Sequence, residues 1–299
     1  MKQILLSLLL LCSLGVSAQD VVVTRQRKQQ TTTSKSKAQN KATVPSPTIG
    51  TSTYTPHTRA FTANGVSFQM IEVRGGTFKM GATSEQDIIV KQNPKDYEKR
   101  DIHLQPRIVS VKSFYIGQFE VTQKLWKAVM GSNPSNYQSD MHPVENVNYN
   151  DCIEFIRRLN GITGVQFRCP TEEEWEFAAR GGTKSKGYKY SGSNNLSEVA
   201  YLGDNNNSIV TGSVGSKKPN ELGIYDMSGN VWEFCSSDYF NAHYSKPDDY
   251  YITRGGSIHN ADFCKTAEFS YQSKDTSFRD EYSPTIVYSP HGLRLALSE

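Results

Sequence analysis

Beyond residue 14 the chain has no apolar run of the ~18 residues a helix needs to cross a bilayer, so no transmembrane segment is expected in the mature protein. Cysteine is scarce, with five in 299 residues. No two of them stand at CxxC spacing, which excludes the usual structural zinc frameworks. The six histidines are few and scattered; His103, His142, His243 and His291 share no ligand spacing. No internal similarity recurs at a period of roughly 20–50 residues, which excludes a solenoid or propeller. A net basic charge is missing from the part of the chain that folds. Seven Lys and Arg against Asp20 give residues 19–60 a net +6, and Lys2 adds one more. The total of +3 then leaves −4 for residues 61–299. A mildly acidic domain argues against nucleic acid as a partner.

The first 18 residues have the composition of an export signal. Lys2 supplies the positive end, Ile4–Leu14 an apolar core too short to span a membrane, and Val16-Ser17-Ala18 a small-residue cleavage site. Leu11 stands where a lipoprotein signal would need a small residue, which argues against lipidation at Cys12. Residues 19–60 are rich in Thr, Ser, Gln and Lys, hold Pro45, Pro47 and Pro56, and have few large apolar side chains. Such a composition cannot bury enough surface to offset its ordering entropy, and it reads as a disordered basic linker. The folded domain is expected over 61–299, exported and held by a flexible tether.

Within that domain, Val66–Val73 and Thr77–Met80 alternate as strands around Gly75-Gly76, and Arg107–Ile116 reads as a further strand. Residues 82–106 read as a loop. Thr122 is placed to cap a helix that buries Leu125, Trp126 and Val129 and closes at Gly131. A second helix follows Asn148 or Asn150, buries Cys152, Phe155, Ile156 and Leu159 on one stripe, and is expected to stop at Asn160-Gly161. Phe167–Cys169 is a short strand. Thr171 and Glu174 form a capping box for a helix that ends at Gly181-Gly182. From 183 onward regular structure thins, so other staples are needed. The fold class is α+β, in one domain.

The most informative run is Asn220-Glu-Leu-Gly-Ile-Tyr-Asp-Met-Ser-Gly-Asn-Val-Trp-Glu-Phe-Cys-Ser-Ser-Asp238. It is too polar for a core strand and too broken by glycine for a helix, so specific bonds or an ion must hold it. It stands in order with Phe78–Gly81, Glu120–Gln123, Pro143–Val147, Phe167–Gly182, Arg254–Ser257 and Gly292–Arg294. In this order and spacing, residues 65–297 resemble the formylglycine-generating-enzyme, or sulfatase-modifying-factor, family. The resemblance implies a C-type-lectin-like domain with little regular secondary structure and bound calcium.

It also implies where chemistry would sit. The oxidising members hold copper with two cysteines after the Gly-Gly-Ser turn, and soft thiolates suit Cu(I). Here the turn is Gly255-Gly256-Ser257, and the two positions hold Asn260 and Lys265; Cys264 is one residue off. Copper is therefore not expected. Iron is not expected either, since the iron-dependent relatives draw their histidines from a helical domain that residues 19–60 cannot form. Asp226, Gly229, Val231 and Glu233 match a calcium site of the family, with the carboxylates and carbonyls that a hard cation takes. The competing role for Asp226 and Glu233 is to cap backbone amides. Val199-Ala200-Tyr201 stands where the family's other calcium site has an Asn, so that site is expected to be lost.

Cys152, Cys169, Cys235 and Cys264 remain after export. The pairs Cys152–Cys169 and Cys235–Cys264 are the expected disulfides, with a buried or a reactive thiol the alternatives for Cys264. Arg254 and Arg294 are expected to pair with buried carboxylates, Glu233 and Glu268 being the candidates. The function expected is a binding or structural component of the cell envelope that engages a protein or a glycan. The competing reading is a metal-dependent oxidoreductase with an altered pocket at Trp232, Ser257, His259 and Cys264.

Overall fold

In the computed structural model of the chain, residues 55–89, 103–203, 210–236, 250–273 and 289–299 are described. The expected leader and nearly all of the linker lie outside them, as do His243 and most of the loop read over 82–106. Residues 53–299 form one compact unit.

The chain opens with β1 (Thr58–Ala63) and β2 (Val66–Val73), joined by a two-residue turn. Asn64 and Gly65 both have positive φ, 45° and 80°. That geometry matches the twist of a hairpin and favours Asn-Gly. Then come β3 (Gly76–Met80), β4 (Arg107–Val111) and β5 (Phe114–Gly117). The single strand read over 107–116 is two strands. Lys112-Ser113 breaks it, so that β4 pairs with β3 while β5 pairs with β2. Further on lie β6 (Phe167–Arg168), β7 (Trp232–Phe234), β8 (Tyr250–Arg254), β9 (Phe269–Ser273), β10 (His291–Gly292) and β11 (Ala296–Ser298). One sheet has the order β1-β2-β5-β11-β6 and a second the order β10-β7-β8-β9, with β3-β4 as a separate ribbon. The C-terminal β11 sits between β5 and β6, so the two ends of the domain share one sheet.

Among the described residues, three helices of two turns or more pack on these sheets. α1 (Gln123–Met130) starts where the Thr122 hydroxyl accepts from the Leu125 amide and stops at Gly131 in the left-handed region. α2 (Tyr149–Thr163) carries a capping box of Asn148 and Asp151. It runs through Asn160-Gly161 to Gly164, past the expected stop. Gly161 is tolerated inside the helix because a single interior glycine costs only ~1 kcal/mol, while Gly164 supplies the left-handed closing residue (φ 71°). α3 (Glu172–Ala179) has the Thr171–Glu174 box that its sequence announces. Three glutamates in its first turn also oppose the positive end of the helix dipole. A one-turn helix, α4 (Leu196–Val199), follows.

The core has two main parts. Trp126 stacks on Phe155 with ring centres 4.8 Å apart, joining α1 to α2. Phe61, Phe68 and Phe167 form a second aromatic group within the same cluster. The other part gathers Trp175, Phe177, Leu222, Ile224 and Met227 around α3. Removing an interior ring leaves a cavity that a packed core closes only in part, so Phe155→Ala is expected to cost ~3–5 kcal/mol. Urea unfolding measures it; a loss below 1 kcal/mol would show that the helices do not depend on that stack.

Candidate functional site

The polar run after Asn220 folds around one buried guanidinium. Arg294, just before β11, donates from Nε to Glu233 Oε2 (2.9 Å) and from Nη2 to Glu233 Oε1 (2.6 Å). It also donates to the carbonyls of Gly117 (3.0 Å) and Tyr225 (2.9 Å). Trp175 Nε1 donates to Glu233 Oε2 at 2.6 Å. Both residues of the pair are fully buried. The forked geometry explains why arginine stands here, since lysine cannot make two parallel bonds to a carboxylate. The expected pairing of Arg294 with Glu233 is thus present.

Two more carboxyl groups lie beside this pair. Asp226 adopts φ 59° and accepts from the Gly215 amide through Oδ2 at 2.6 Å; its Oδ1 is buried without a partner. Burial, with a contribution from Glu233, pushes the Asp226 carboxyl up to about 6, against the Gly215 amide and Arg294. Glu120 accepts from Asn230 Nδ2 (2.8 Å) and the Val231 amide (3.3 Å). Burial, then Asp226 and Glu233, raises Glu120 well above the usual carboxylate range. Sequence reasoning singled out Asp226 and Glu233 but passed over Glu120, although Glu120–Gln123 was among the motifs. The available signal was an acidic residue next to the buried Val121.

Three carboxyl groups against one guanidinium leave an excess of two negative charges when all are ionised. Among the described residues no three His, Cys, Asp or Glu side chains converge as a ready-made metal centre, and both oxygens of Glu233 are already bonded. The excess charge and the orphaned Asp226 Oδ1 point the other way. They fit a hard dication held by Asp226 and main-chain carbonyls, with Glu233 as a structural neighbour. An unpaired ionised group inside a protein is costly, and convergence of side chains says nothing of backbone oxygens.

A second buried network ties α3 to β8. Arg254 donates to Glu172 and to the carbonyls of Thr266, Ala267 and Glu268, and forms an ion pair with Glu176 at 3.0 Å. His103 Nε2 lies 2.6 Å from Glu172 Oε1. The expected Glu268 partner contributes its main-chain oxygen; the carboxylates are those of α3. Burial alone would raise Glu172, but Arg254 and His103 outweigh it and hold the group down at about 2.

The loop after β8 holds the remaining candidates. Gly255 and Gly256 have φ of 97° and 73°, and a Cβ on Gly256 would lie 2.8 Å from Cys264 Sγ. Glycine is therefore required where the turn presses on the cysteine. Ser257 is buried, and its Oγ accepts from the His259 amide at 3.4 Å. Cys264 closes a short 3₁₀ turn, donates from Sγ to the Asn260 carbonyl (3.3 Å), and is pushed up to about 12, mainly by burial. Trp232 is buried with Phe263 edge-on at 5.8 Å and His291 beyond it. Burial holds His291 down at about 3, in its neutral form. Trp232, Ser257 and Cys264 thus pack into the wall of the domain, and His259 is exposed.

The expected disulfides are not formed. Cys152, Cys169, Cys235 and Cys264 are all free and buried. Cys152 and Cys235 each have Cys169 as an electrostatic neighbour, whereas Cys264 senses Asp262. Cys264 is occupied with Gly256 and Asn260, and the protein interior that surrounds the other three favours neutral thiols.

Little regular structure, two sheets sharing a long irregular C-terminal half, and a Gly-Asn turn braced by a buried Arg–Glu pair define a C-type-lectin-like sulfatase-modifying-factor fold. The chain belongs to the family of the sulfatase-modifying factor enzyme 1-like domain, whose profile matches residues 59–299. It is 34% identical over 261 residues to the protein named chaperone protein LppX of Paenibacillus barcinonensis, covering 70% of this chain and 84% of that one. It is 32% identical over 135 residues to the formylglycine-generating enzyme of Thermomonospora curvata, an alignment that spans 39% of this chain and 40% of the enzyme. Among solved structures it is similar to Treponema denticola variable protein 1, with a TM-score of 0.63 and 28% identity, over 82% of this chain and all of that one.

Arg294→Met would leave Glu233, Glu120 and Asp226 without their common cation. Removing one partner of a buried pair costs about 3–5 kcal/mol, so this variant is expected to unfold at markedly lower urea, while Glu233→Gln loses less. Equal stability of Arg294→Met and the wild type would contradict the role given to the pair. Thiol titration gives a second check: four reactive thiols per mature chain after unfolding without reductant, and slow reaction when native. Two or none after unfolding would restore the disulfides.

Proposed function

We propose that the protein is an exported binding module of the cell envelope, stabilised by calcium, that engages a protein or glycan partner and has no copper oxidase activity. The observation that carries this reading is the state of the loop 255–265. Its one cysteine is buried against Gly256 and held as a thiol, and Asn260 and Lys265 occupy the places where the resemblance puts the copper thiolates. An amide and an ammonium do not make a Cu(I) site. Support for a binding role comes from LppX, which carries the name of a chaperone and aligns over most of its length. Export rests on the sequence of residues 1–18; no helix among the described residues is long and apolar enough to cross a membrane.

Calcium would be held by Asp226 with the carbonyls of Gly229 and Val231, near Glu120 and Glu233. When bound it supplies two positive charges to a cluster that lacks them. The chain's own residues do the rest: Arg294 fixes Glu233, Gly215 fixes one oxygen of Asp226, and Asn230 fixes Glu120.

The sign of the pH dependence follows from Asp226. Its folded pKa of about 6 lies above the ordinary ~3.9, so without calcium the fold gains stability as pH falls from about 6 towards 4. Calcium competes with that proton. Its stabilising effect is present above pH 6 and is lost as pH falls through that value. At a hundredfold excess over Kd, ligand linkage gives ~2.7 kcal/mol, or about 5–10 °C in Tm for a domain of this size. Asp226→Asn removes most of the gain. A melting curve indifferent to calcium and chelator at pH 7.5 would dismiss the site.

The oxidoreductase alternative has one thing in its favour, the survival of Ser257 and Trp232 at pocket positions of the enzymes. Metal analysis and oxygen consumption with a cysteine-containing peptide separate the two. The binding reading expects no stoichiometric copper or iron and no turnover; tight copper with oxygen uptake would establish the alternative.

A further inference from the structure

The register of the first sheet leaves part of one strand without a neighbour. β2 pairs with the whole of β1, from Ala63↔Val66 to Thr58↔Ile71. On its other side β5 covers only Met70–Val73, stopping at Gly117 opposite Met70. Gln118 adds one bond, from its amide to the Gln69 carbonyl (2.9 Å), before the chain turns away through Phe119. Main-chain groups alternate sides along a strand. Glu72 donates toward the β1 side, to the His57 carbonyl, while Gln69 accepts on the β5 side. By that alternation the N–H and C=O of Ser67 face the β5 side, where no strand lies among the described residues.

That space is a cleft of about 280 Å³, walled by Val66–Met70, by Gly117–Thr122, and by Lys124, Leu125 and Met141. Phe68 and Phe119 are half-buried beside it, and Met141 is half exposed. Phe119 is fixed by its packing on Tyr225, ring centres 5.1 Å apart. The lining holds two ionisable side chains. Glu120 is buried and turned inward onto Asn230 and Val231. Lys124 is exposed on the first turn of α1 and takes part in no ion pair among the described residues. An open strand edge with unpaired amide and carbonyl groups recruits an extended chain. The apolar walls suit alternate apolar side chains, and the free ammonium at the rim selects the charge of what enters.

We propose that this cleft is a strand-addition site: an extended peptide segment ending in, or carrying, a carboxylate pairs with Ser67 through its main chain and sets that carboxylate on Lys124. In antiparallel pairing one peptide residue lies opposite Ser67; its carbonyl accepts from the Ser67 amide and its own amide donates to the Ser67 carbonyl. The inference rests on the binding-module reading and names its partner class as a protein presented in extended form.

The test uses the full mature chain and an acetylated pentapeptide, Thr-Val-Thr-Val-Asp, with a free terminal carboxylate. Saturable binding by calorimetry is expected, with slowed hydrogen exchange at the Ser67 amide. Ser67→Pro removes that amide and leaves the β1 ladder intact, because Val66 and Phe68 carry the bonds to β1. It is expected to weaken binding at least tenfold. Lys124→Glu is expected to do the same and to shift preference to a peptide ending in a lysine amide; being on the helix surface, it keeps the test valid if Ser67→Pro folds poorly. No saturation up to millimolar peptide, or equal affinity in both variants, overturns the proposal. A wild-type dimer that Ser67→Pro makes monomeric also overturns it, since a second copy would then own the edge. If the peptide fails while calcium still stabilises the chain and copper is absent, this inference falls and the binding-module reading stands.

Discussion

The Arg294–Glu233 pair is the constraint on which the domain depends. A guanidinium with no exposed surface has to satisfy its donors from within, and Arg294 does so with one carboxylate and the carbonyls of Gly117 and Tyr225. Those partners come from the end of β5, from the polar run and from β7. The pair therefore joins the two sheets where regular structure is thinnest. Trp175 adds α3 to the same carboxylate, so one side chain, Glu233, receives bonds from a helix and from the C-terminal strand region. Buried pairs of this kind contribute less to net stability than to the choice of one arrangement. In a domain with so much loop, that choice is what has to be made.

The same interior explains why an added cation is expected. Burial raises Glu120 and Asp226, neighbouring carboxyl groups raise them further, and Arg294 is the one cation that works against this, beside the hydrogen bonds from Asn230 and Gly215. Without a dication Glu120 and Asp226 keep their protons to higher pH than free carboxyl groups; on the proposed reading a bound dication would displace them. The neighbouring network reverses the balance. Glu172 and Glu176 face Arg254, with Arg180 on Glu176 and His103 on Glu172, and Glu172 remains ionised to low pH. Glu172 is thus held down while Glu120 and Asp226 are pushed up, because the first is supplied with enough positive charge and the others are not.

Much of this was readable in the sequence where the signal is local. The Thr171–Glu174 capping box specifies a helix start that holds, and of the two starts read for the second helix, Asn148 is the cap. The stripe Cys152, Phe155, Ile156 and Leu159 is buried as its spacing requires. The family could be read because its motifs are long and ordered. What could not be read depends on contacts between distant segments. The break at Lys112-Ser113 reflects a change of partner from β3 to β2, which alternation along one strand does not encode. The extension of α2 past Gly161 was set by Gly164, three residues on. Glu120 belongs with Asp226 across more than 100 residues of chain. The cysteines show the same limit, since an even number in an exported chain suggests bridges, but only the fold assigns Cys264 to Gly256.

On the proposed reading the carboxylate cluster exchanges protons for a dication. Calorimetric titration of calcium at pH 6.5 in two buffers of different ionisation enthalpy tests it most directly. Saturable binding is expected, with a buffer-dependent heat that corresponds to net proton release, abolished in Asp226→Asn. Binding whose heat is the same in both buffers, or no binding at all, would contradict it.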